Sequence, residues 1–200
     1  MPKLNLAMWI ECTHSEGPGA RFALWTQGCA LHCPGCCNPH MWDFVPLHIF
    51  EPGELFEMVL KSQQNENIEG VSFIGGEPFL QAKGLSKLAG LCREARLTVM
   101  VFTGYLLEGL KKSEIEGSAE LLANTDLLVD GPYMQDLPEA ERNWAGSTNQ
   151  RFHFLTDAYH SGIERDPLYR PSVEFRLGAD GSLRLNGWPT KIAFNNQNGV

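Results

Sequence analysis

Residues 21–40 read RFALWTQGCALHCPGCCNPH. The stretch 21–28 is rich in strand formers, and the strand it predicts runs directly into a loop carrying Cys29, Cys33, Cys36 and Cys37. Four of the chain's six cysteines therefore follow the end of one strand. The same strand-to-glycine pattern returns in EGVSFIGG (69–76), LTVMVFTG (97–104) and TDLLVDGP (125–132). Helical stretches separate these strands. EPGELFEMVLKSQQ (51–64) has Pro52 near its first turn and Leu55, Phe56, Val59 and Leu60 at helical spacing. GLSKLAGLCREA (84–95) puts Leu85, Leu88 and Leu91 or Cys92 on one face, and YLLEGLKK and SAELLAN predict two short helices.

Strands alternating with helices predict right-handed βαβ units, hence an α/β fold with a mostly parallel sheet. Such sheets bind ligands at the carboxyl ends of their strands. Here those ends are Gly28/Cys29, Gly75/Gly76, Thr103/Gly104 and Asp130/Gly131, so the cysteine loop and the glycine pair are expected on one edge. The tail departs from this rhythm. SVEFRLGADGSLRLNGWP (172–189) alternates apolar and polar residues around Asp180-Gly181, which predicts a β-hairpin. The stretch 155–171 reads as a connecting loop. The expected division is a βα core over 1–154 and a C-terminal extension with the hairpin over 155–200.

The chain has 200 residues, 43% of them hydrophobic and 20% charged, the composition of a folded globular protein. With 16 basic against 24 acidic residues its net charge is −8, which argues against a nucleic-acid partner. No apolar run approaches a membrane span, and residues 1–12 make a poor signal peptide. A cytoplasmic setting follows, where clustered thiols stay reduced and serve a metal or a cluster.

Cys29, Cys33 and Cys36 stand at C-x3-C-x2-C. Three thiolates on one short loop suit three corners of a cubane whose fourth iron stays open, whereas electron-transfer cubanes take four. A competing frame, Cys33, Cys37 and His40 with Cys29 added, suits structural zinc. A ferredoxin-like site completed by Cys37 or a histidine is a third option. Cys92 reads as a small core residue, and Cys12 is given no role. In FIGGEPF (73–79), Gly75 and Gly76 end a strand, so the backbone there turns sharply or approaches something closely. Glu77 follows as a free acceptor suited to an ammonium group, and Pro78 fixes the exit. The turn lacks the lysine of a phosphate loop. Taken alone, it also reads as a plain strand-to-loop turn.

Together these motifs resemble the radical SAM enzymes. EGPGARFALWTQGCALHCPGCCNPHMW (16–42) is similar to the glycyl-radical-enzyme activases among them. CPGC (33–36), FTGY (102–105), LLVDGPYMQDL (127–137) and WAGSTNQRFHFL (144–155) resemble the activators of anaerobic ribonucleotide reductases. The resemblance spans roughly residues 16–155. It implies a short, open radical SAM β/α barrel. It implies a [4Fe–4S] cluster on Cys29, Cys33 and Cys36, because Asn38 matches the family's asparagine and leaves Cys37 as the variable residue after the third ligand. Neighbouring side chains are expected to point apart, which keeps Cys37 out of the cubane.

S-adenosylmethionine (SAM) would chelate the open iron, with Gly75, Gly76, Glu77 and Pro78 at its amino group. Thr103 and Asp130 would contact its ribose or adenine side, although Asp130 also reads as a turn residue before Gly131-Pro132. The implied reaction is reductive cleavage of SAM to a 5′-deoxyadenosyl radical, which takes a hydrogen atom from a backbone glycine of a partner enzyme. No catalytic side chain beyond the cluster and SAM is required. The implied partners are a glycyl radical enzyme, such as an anaerobic ribonucleoside-triphosphate reductase, and a flavodoxin- or ferredoxin-type electron donor. A radical SAM enzyme acting on a small molecule or peptide is the alternative, and a non-catalytic zinc or iron–sulfur module the third reading. No mechanism attaches to Asn149 and Gln150. His32, His40 and His153 are expected to be surface or local hydrogen-bonding residues. The extension beyond Leu155 goes past where the small activators end.

Overall fold

The computed structural model describes residues 2–169, 173–178, 181 and 183–187. Its centre is a seven-stranded sheet. In chain order the strands are β1 (Leu4–Thr13), β2 (Arg21–Thr26), β3 (His48–Phe50), β4 (Gly70–Gly75), β5 (Thr98–Phe102), β6 (Leu127–Asp130) and β7 (Arg151–Phe154). Across the sheet they run β3-β1-β2-β4-β5-β6-β7. β2, β4, β5 and β6 lie parallel, and these are the strands expected from the strand-to-glycine pattern. β1, β3 and β7 flank them in antiparallel pairings that the sequence did not announce. β1 was hidden because its pairing with β2 shifts register between Leu6 and Met8 and again between Ile10 and Thr13. Each shift breaks the two-residue alternation that marks a strand. β3 and β7 are too short to carry a period.

The helices α1 (Pro52–Glu66), α2 (Ala82–Glu94), α3 (Leu107–Leu110) and α4 (Ser118–Ala123) fall in or beside the predicted stretches. α1 begins at a reciprocal capping box, in which Glu51 and Glu54 each accept from the other's backbone N–H, with Pro52 in the first turn. It ends at Asn67 in the left-handed conformation, φ 53°. Alternation along the parallel strands gives the sheet two apolar faces. Phe22, Leu24, Val71, Phe73, Val99, Val101 and Leu128 pack against Leu55, Val59, Leu85, Leu88 and Leu121 of the helices. Cys92 is buried in this layer, as a small core residue. On the opposite face, Ala23 and Trp25 pack with Ile10 and Met41, and Met100, Leu127 and Val129 form a second cluster.

Arg21 shares the face of Ala23 and Trp25 but sits at the amino end of β2, and it is fully buried. Its Nε donates to Ser72 Oγ at 2.8 Å, Nη1 to Pro18 O, Thr98 Oγ1 and Tyr159 Oη, and Nη2 to Val71 O at 2.6 Å and Thr98 O. All of these acceptors are hydroxyls or carbonyls. Hydrogen bonding alone therefore offsets the cost of desolvating the cation, and one guanidinium ties β2, β4, β5 and the C-terminal extension together.

Beyond β7 the chain runs through two short 3-10 turns to β8 (Val173–Leu177) and β9 (Leu183–Gly187), which pair antiparallel. Gly181 lies between them at φ 81°, while Asp180 of the expected turn lies outside the described residues. Among the described residues no helix is long and apolar enough to cross a membrane.

Lysine cannot reproduce Arg21's planar fork. Arg21→Lys is expected to leave several buried acceptors unpaired and to cost about 2–4 kcal/mol, read from urea unfolding. A variant within about 0.5 kcal/mol of wild type would show that the network contributes no stability.

Candidate functional site

The carboxyl ends of β2, β4, β5 and β6 converge on one edge, as the topology requires. β2 runs into the cysteine loop and β4 into the Gly75–Pro78 turn, and the two are joined main chain to main chain. Gly76 N–H donates to Thr26 O at 2.8 Å, and Glu77 N–H donates to Gly28 O at 2.9 Å. The glycine pair makes this approach possible. Gly75 has φ 104°, in the region that favours glycine. A Cβ on Gly76 would stand 2.3 Å from the Gly28 carbonyl oxygen. The returning chain closes the loop from its other side, with Gly28 N–H on Met41 O at 2.9 Å and Cys29 N–H on Trp42 O at 3.0 Å. Cys29 is buried at the base of the loop, Cys33 and Cys36 are half-buried, and Cys37 is exposed.

Glu77 is not the free acceptor expected from sequence. It is buried, and its Oε1 accepts from Phe79 N–H at 2.9 Å and Thr103 Oγ1 at 2.8 Å, while Oε2 accepts from Gly104 N–H at 2.8 Å. Thr103 is thereby drawn to the β4 turn, and Gly104 leaves room for Leu31, whose Cδ1 lies 2.3 Å from where a Cβ would stand. Loops after three successive parallel strands thus meet around one residue, two of them at its carboxylate and the third at its main-chain N–H. Burial pushes the Glu77 carboxyl up to about 7, against the pull of these three hydrogen bonds.

Asp130 does not join them. It follows the alternation of Leu128 on the helix side of β6, and its side chain is fully buried. Oδ2 accepts from Leu107 N–H at 2.7 Å and from Arg151 Nη2 at 2.5 Å, and Oδ1 accepts from Arg151 Nε at 2.9 Å. His153 Nε2 lies 3.0 Å from Oδ2. Burial works to raise the pKa, but Arg151, Leu107 and His153 outweigh it and hold it below the usual value. Both oxygens are committed to pinning α3 and β7, which corrects the expectation of a cleft-facing carboxylate.

Residues without an assigned role find one here. Asn149 Nδ2 donates to Pro132 O at 2.8 Å and Gln150 Nε2 donates to Gly131 O at 3.1 Å, so both fasten the exit of β6. His32, at φ 47°, stacks on Trp42 with ring centroids 4.9 Å apart. Gln81, unremarked in the sequence, ties Asn5 and Gln27 with Nε2 bonds of 2.9 and 3.0 Å to their carbonyls. Gln81 carries no local signal, because its partners Asn5 and Gln27 come from distant parts of the chain.

A protein-family profile described as "4Fe-4S single cluster domain" matches residues 15–153. The chain belongs to this 4Fe-4S domain family. Two relatives carry the name anaerobic ribonucleoside-triphosphate reductase-activating protein. The one from Enterobacteria phage T4 is 29% identical over 159 residues, covering 77% of this chain and 96% of its own length. The one from Vibrio cholerae is 31% identical over 160 residues, covering 76% and 99%. Among solved structures, QueE from Escherichia coli aligns at TM-score 0.45 and 15% identity, over 51% of this chain and 53% of its own.

Among the described residues no group of three or more His, Cys, Asp or Glu side chains is gathered to hold a metal ion, so the loop does not preassemble its thiols; it does supply donors to individual sulfurs. Burial raises the Cys29 thiol, but the backbone N–H groups of Leu31 and His32 point at its sulfur and favour the thiolate. Cys36 is lowered to about 6, first by the Cys37 thiol that hydrogen-bonds its sulfur, then by Asn38 N–H at 3.4 Å, Trp42 and His40. The buried Trp42 Nε1 has no full hydrogen-bond partner and lies beside that sulfur. N–H groups aimed at cysteine sulfurs are how a 4Fe-4S protein tunes its cluster. The Cys37 contact also corrects the expectation that the two neighbouring side chains point apart.

A carboxyl raised from 4.5 to about 7 binds its proton more tightly folded than unfolded, so its contribution is favourable at low pH and is lost as pH rises through that window. The unfolding free energy of wild type minus that of Glu77→Gln is expected to fall by about 3 kcal/mol between pH 5 and 8. A flat difference across that range would contradict the buried, proton-holding Glu77.

Proposed function

We propose that this chain is a radical SAM activating enzyme that generates a glycyl radical on a partner enzyme, an anaerobic ribonucleoside-triphosphate reductase. The observation that carries this reading is the Glu77 N–H to Gly28 carbonyl bond, which fuses a three-cysteine loop to a Gly-Gly-Glu-Pro turn in a chain of the 4Fe-4S family. Cys29, Cys33 and Cys36 hold the [4Fe–4S] cluster, and Gly75, Gly76, Glu77 and Pro78 line the S-adenosylmethionine site. Glu77 acts by holding the turn rigid. Thr103 acts through Glu77, and Asp130 through α3, rather than by touching the ribose. When bound, the cluster and SAM supply one-electron reductive chemistry and the means to remove a hydrogen atom. The protein's own share is to fix the two loops, present amide hydrogens to sulfur and exclude water.

The fold is read as a short, open radical SAM barrel over 1–154, with 155–200 as an appended extension. A flavodoxin- or ferredoxin-type protein supplies the electron, and the thiol chemistry requires a reducing cytoplasm. The exposed apolar side chains of the core support a protein substrate over a small molecule. Phe44, Val45 and Leu47 follow β2, Leu80 follows β4, Leu106 follows β5, and Met134 and Leu137 follow β6. Each parallel strand thus contributes to an apolar rim on the edge that carries the cysteines, the kind of surface that marks a protein interface.

Anaerobic reconstitution with iron and sulfide, reduction by dithionite and addition of SAM tests the reading through 5′-deoxyadenosine. Cys29→Ala, Cys33→Ala and Cys36→Ala are each expected to lose the 400-nm-region absorption and at least about 100-fold of the product, while Cys37→Ala retains both. A series in which Cys37 is essential and Cys36 dispensable would refute the ligand frame. Zinc in place of iron would refute the enzyme.

A further inference from the structure

The hairpin of β8 and β9 is docked the wrong way round for an antiparallel sheet, with its polar face inward and its apolar face out. On the inward side, Glu174 accepts from Thr13 Oγ1 and His14 N–H, both at 2.8 Å, and Arg176 Nη2 donates to Cys12 O at 2.6 Å. Asn186 Nδ2 donates to Thr13 Oγ1 at 2.9 Å, and Gly187 N–H donates to the half-buried Glu16 at 2.7 Å. On the outward side, Phe175 faces Leu185 and Leu177 faces Leu183 in register. These four side chains are 56%, 38%, 78% and 50% exposed. They form a two-rung apolar ladder, and the described positions that share its face carry no charge.

Position narrows what covers it. The hairpin sits at the end of β1 that pairs with the start of β2, Thr13 opposite Arg21, and through Gly187 it holds Glu16, whose charge reaches Cys37. The relatives align over 96–99% of their own length with 76–77% of this chain, and the family match stops at residue 153.

We infer that the ladder is a self-association face, and that its occupant is the same ladder of a second copy of this chain. Two matched rungs related by a twofold axis complement themselves, which is what an isologous interface demands. The uncharged face lets two acidic chains approach without opposing charges at the contact. Its extent, roughly 400 Å² per chain, is that of the largest patch on a typical monomer. That is about half of the ~800 Å² per partner of a standard interface, so the dimer is reversible rather than obligate.

Sedimentation equilibrium of the full chain across roughly 1–200 μM tests this. The expected result is a concentration-dependent rise from the 22.3 kDa chain toward twice that mass. Leu177→Glu and Leu185→Glu, both exposed and therefore compatible with folding, are expected to weaken association at least tenfold. Leu106→Glu, on the rim of the other edge, is expected to leave it unchanged. Amide exchange over residues 173–187 should slow with concentration in wild type only. A monomer throughout the range overturns the proposal, whether the face is covered by residues 188–200 or by a different protein. So does a dimer that survives both hairpin substitutions or is broken by Leu106→Glu. Because mass and exchange are read without SAM, these outcomes are independent of 5′-deoxyadenosine formation.

Discussion

A single main-chain hydrogen bond, from the Glu77 N–H to the carbonyl of Gly28, is the constraint on which the site depends. It sets the distance between a loop that carries thiols and a turn that has almost no side chain. The sheet supports it from below through parallel pairing of β2 with β4 in unbroken register from Arg21–Gly70 to Thr26–Gly75. Glycine at 76 is what allows the approach, because any side chain there would displace the Gly28 carbonyl. The carboxylate of Glu77 then carries the constraint one strand further, to Thr103 and Gly104. Backbone and side chain of one residue thus tie three loops.

Much of this was legible in the sequence. The four parallel strands, both long helices and the placement of Cys92 in the core follow from period and spacing. The shared edge of the cysteine loop and the glycine turn follows from strand order alone. What escaped did so for physical reasons. β1 is a long strand written without a clean alternation, because two register shifts rotate its side chains. The fate of a carboxylate is decided by groups far along the chain. Glu77 reads as free in FIGGEPF because Thr103 and Gly104 come later, and Asp130 reads as a cleft residue because Arg151 and Leu107 are out of sight. Cys37 reads as pointing away from Cys36 because alternation was assumed in a loop that has none.

The same molecule uses buried charge in two different ways. Asp130 is matched by a cation, Arg151, that also reaches Glu108, so its negative charge is compensated near the surface. Arg21 is surrounded only by neutral oxygens. A buried ion held by dipoles alone is intolerant of change in any of them, since no counter-charge remains to compensate.

That intolerance has a bearing on the order in which the chain is made. Tyr159, which accepts from Arg21, is 138 residues downstream of it. During synthesis the N-terminal part emerges first and begins to fold while the remainder is still being added. All the residues that shape the cysteine edge, through Gly131 and its neighbours, are synthesised before the last acceptor of Arg21 exists. The cysteine loop and the glycine turn are therefore made early, and the opposite end of the sheet is closed late. Translation itself grades the molecule from a plastic scaffold to a locked one.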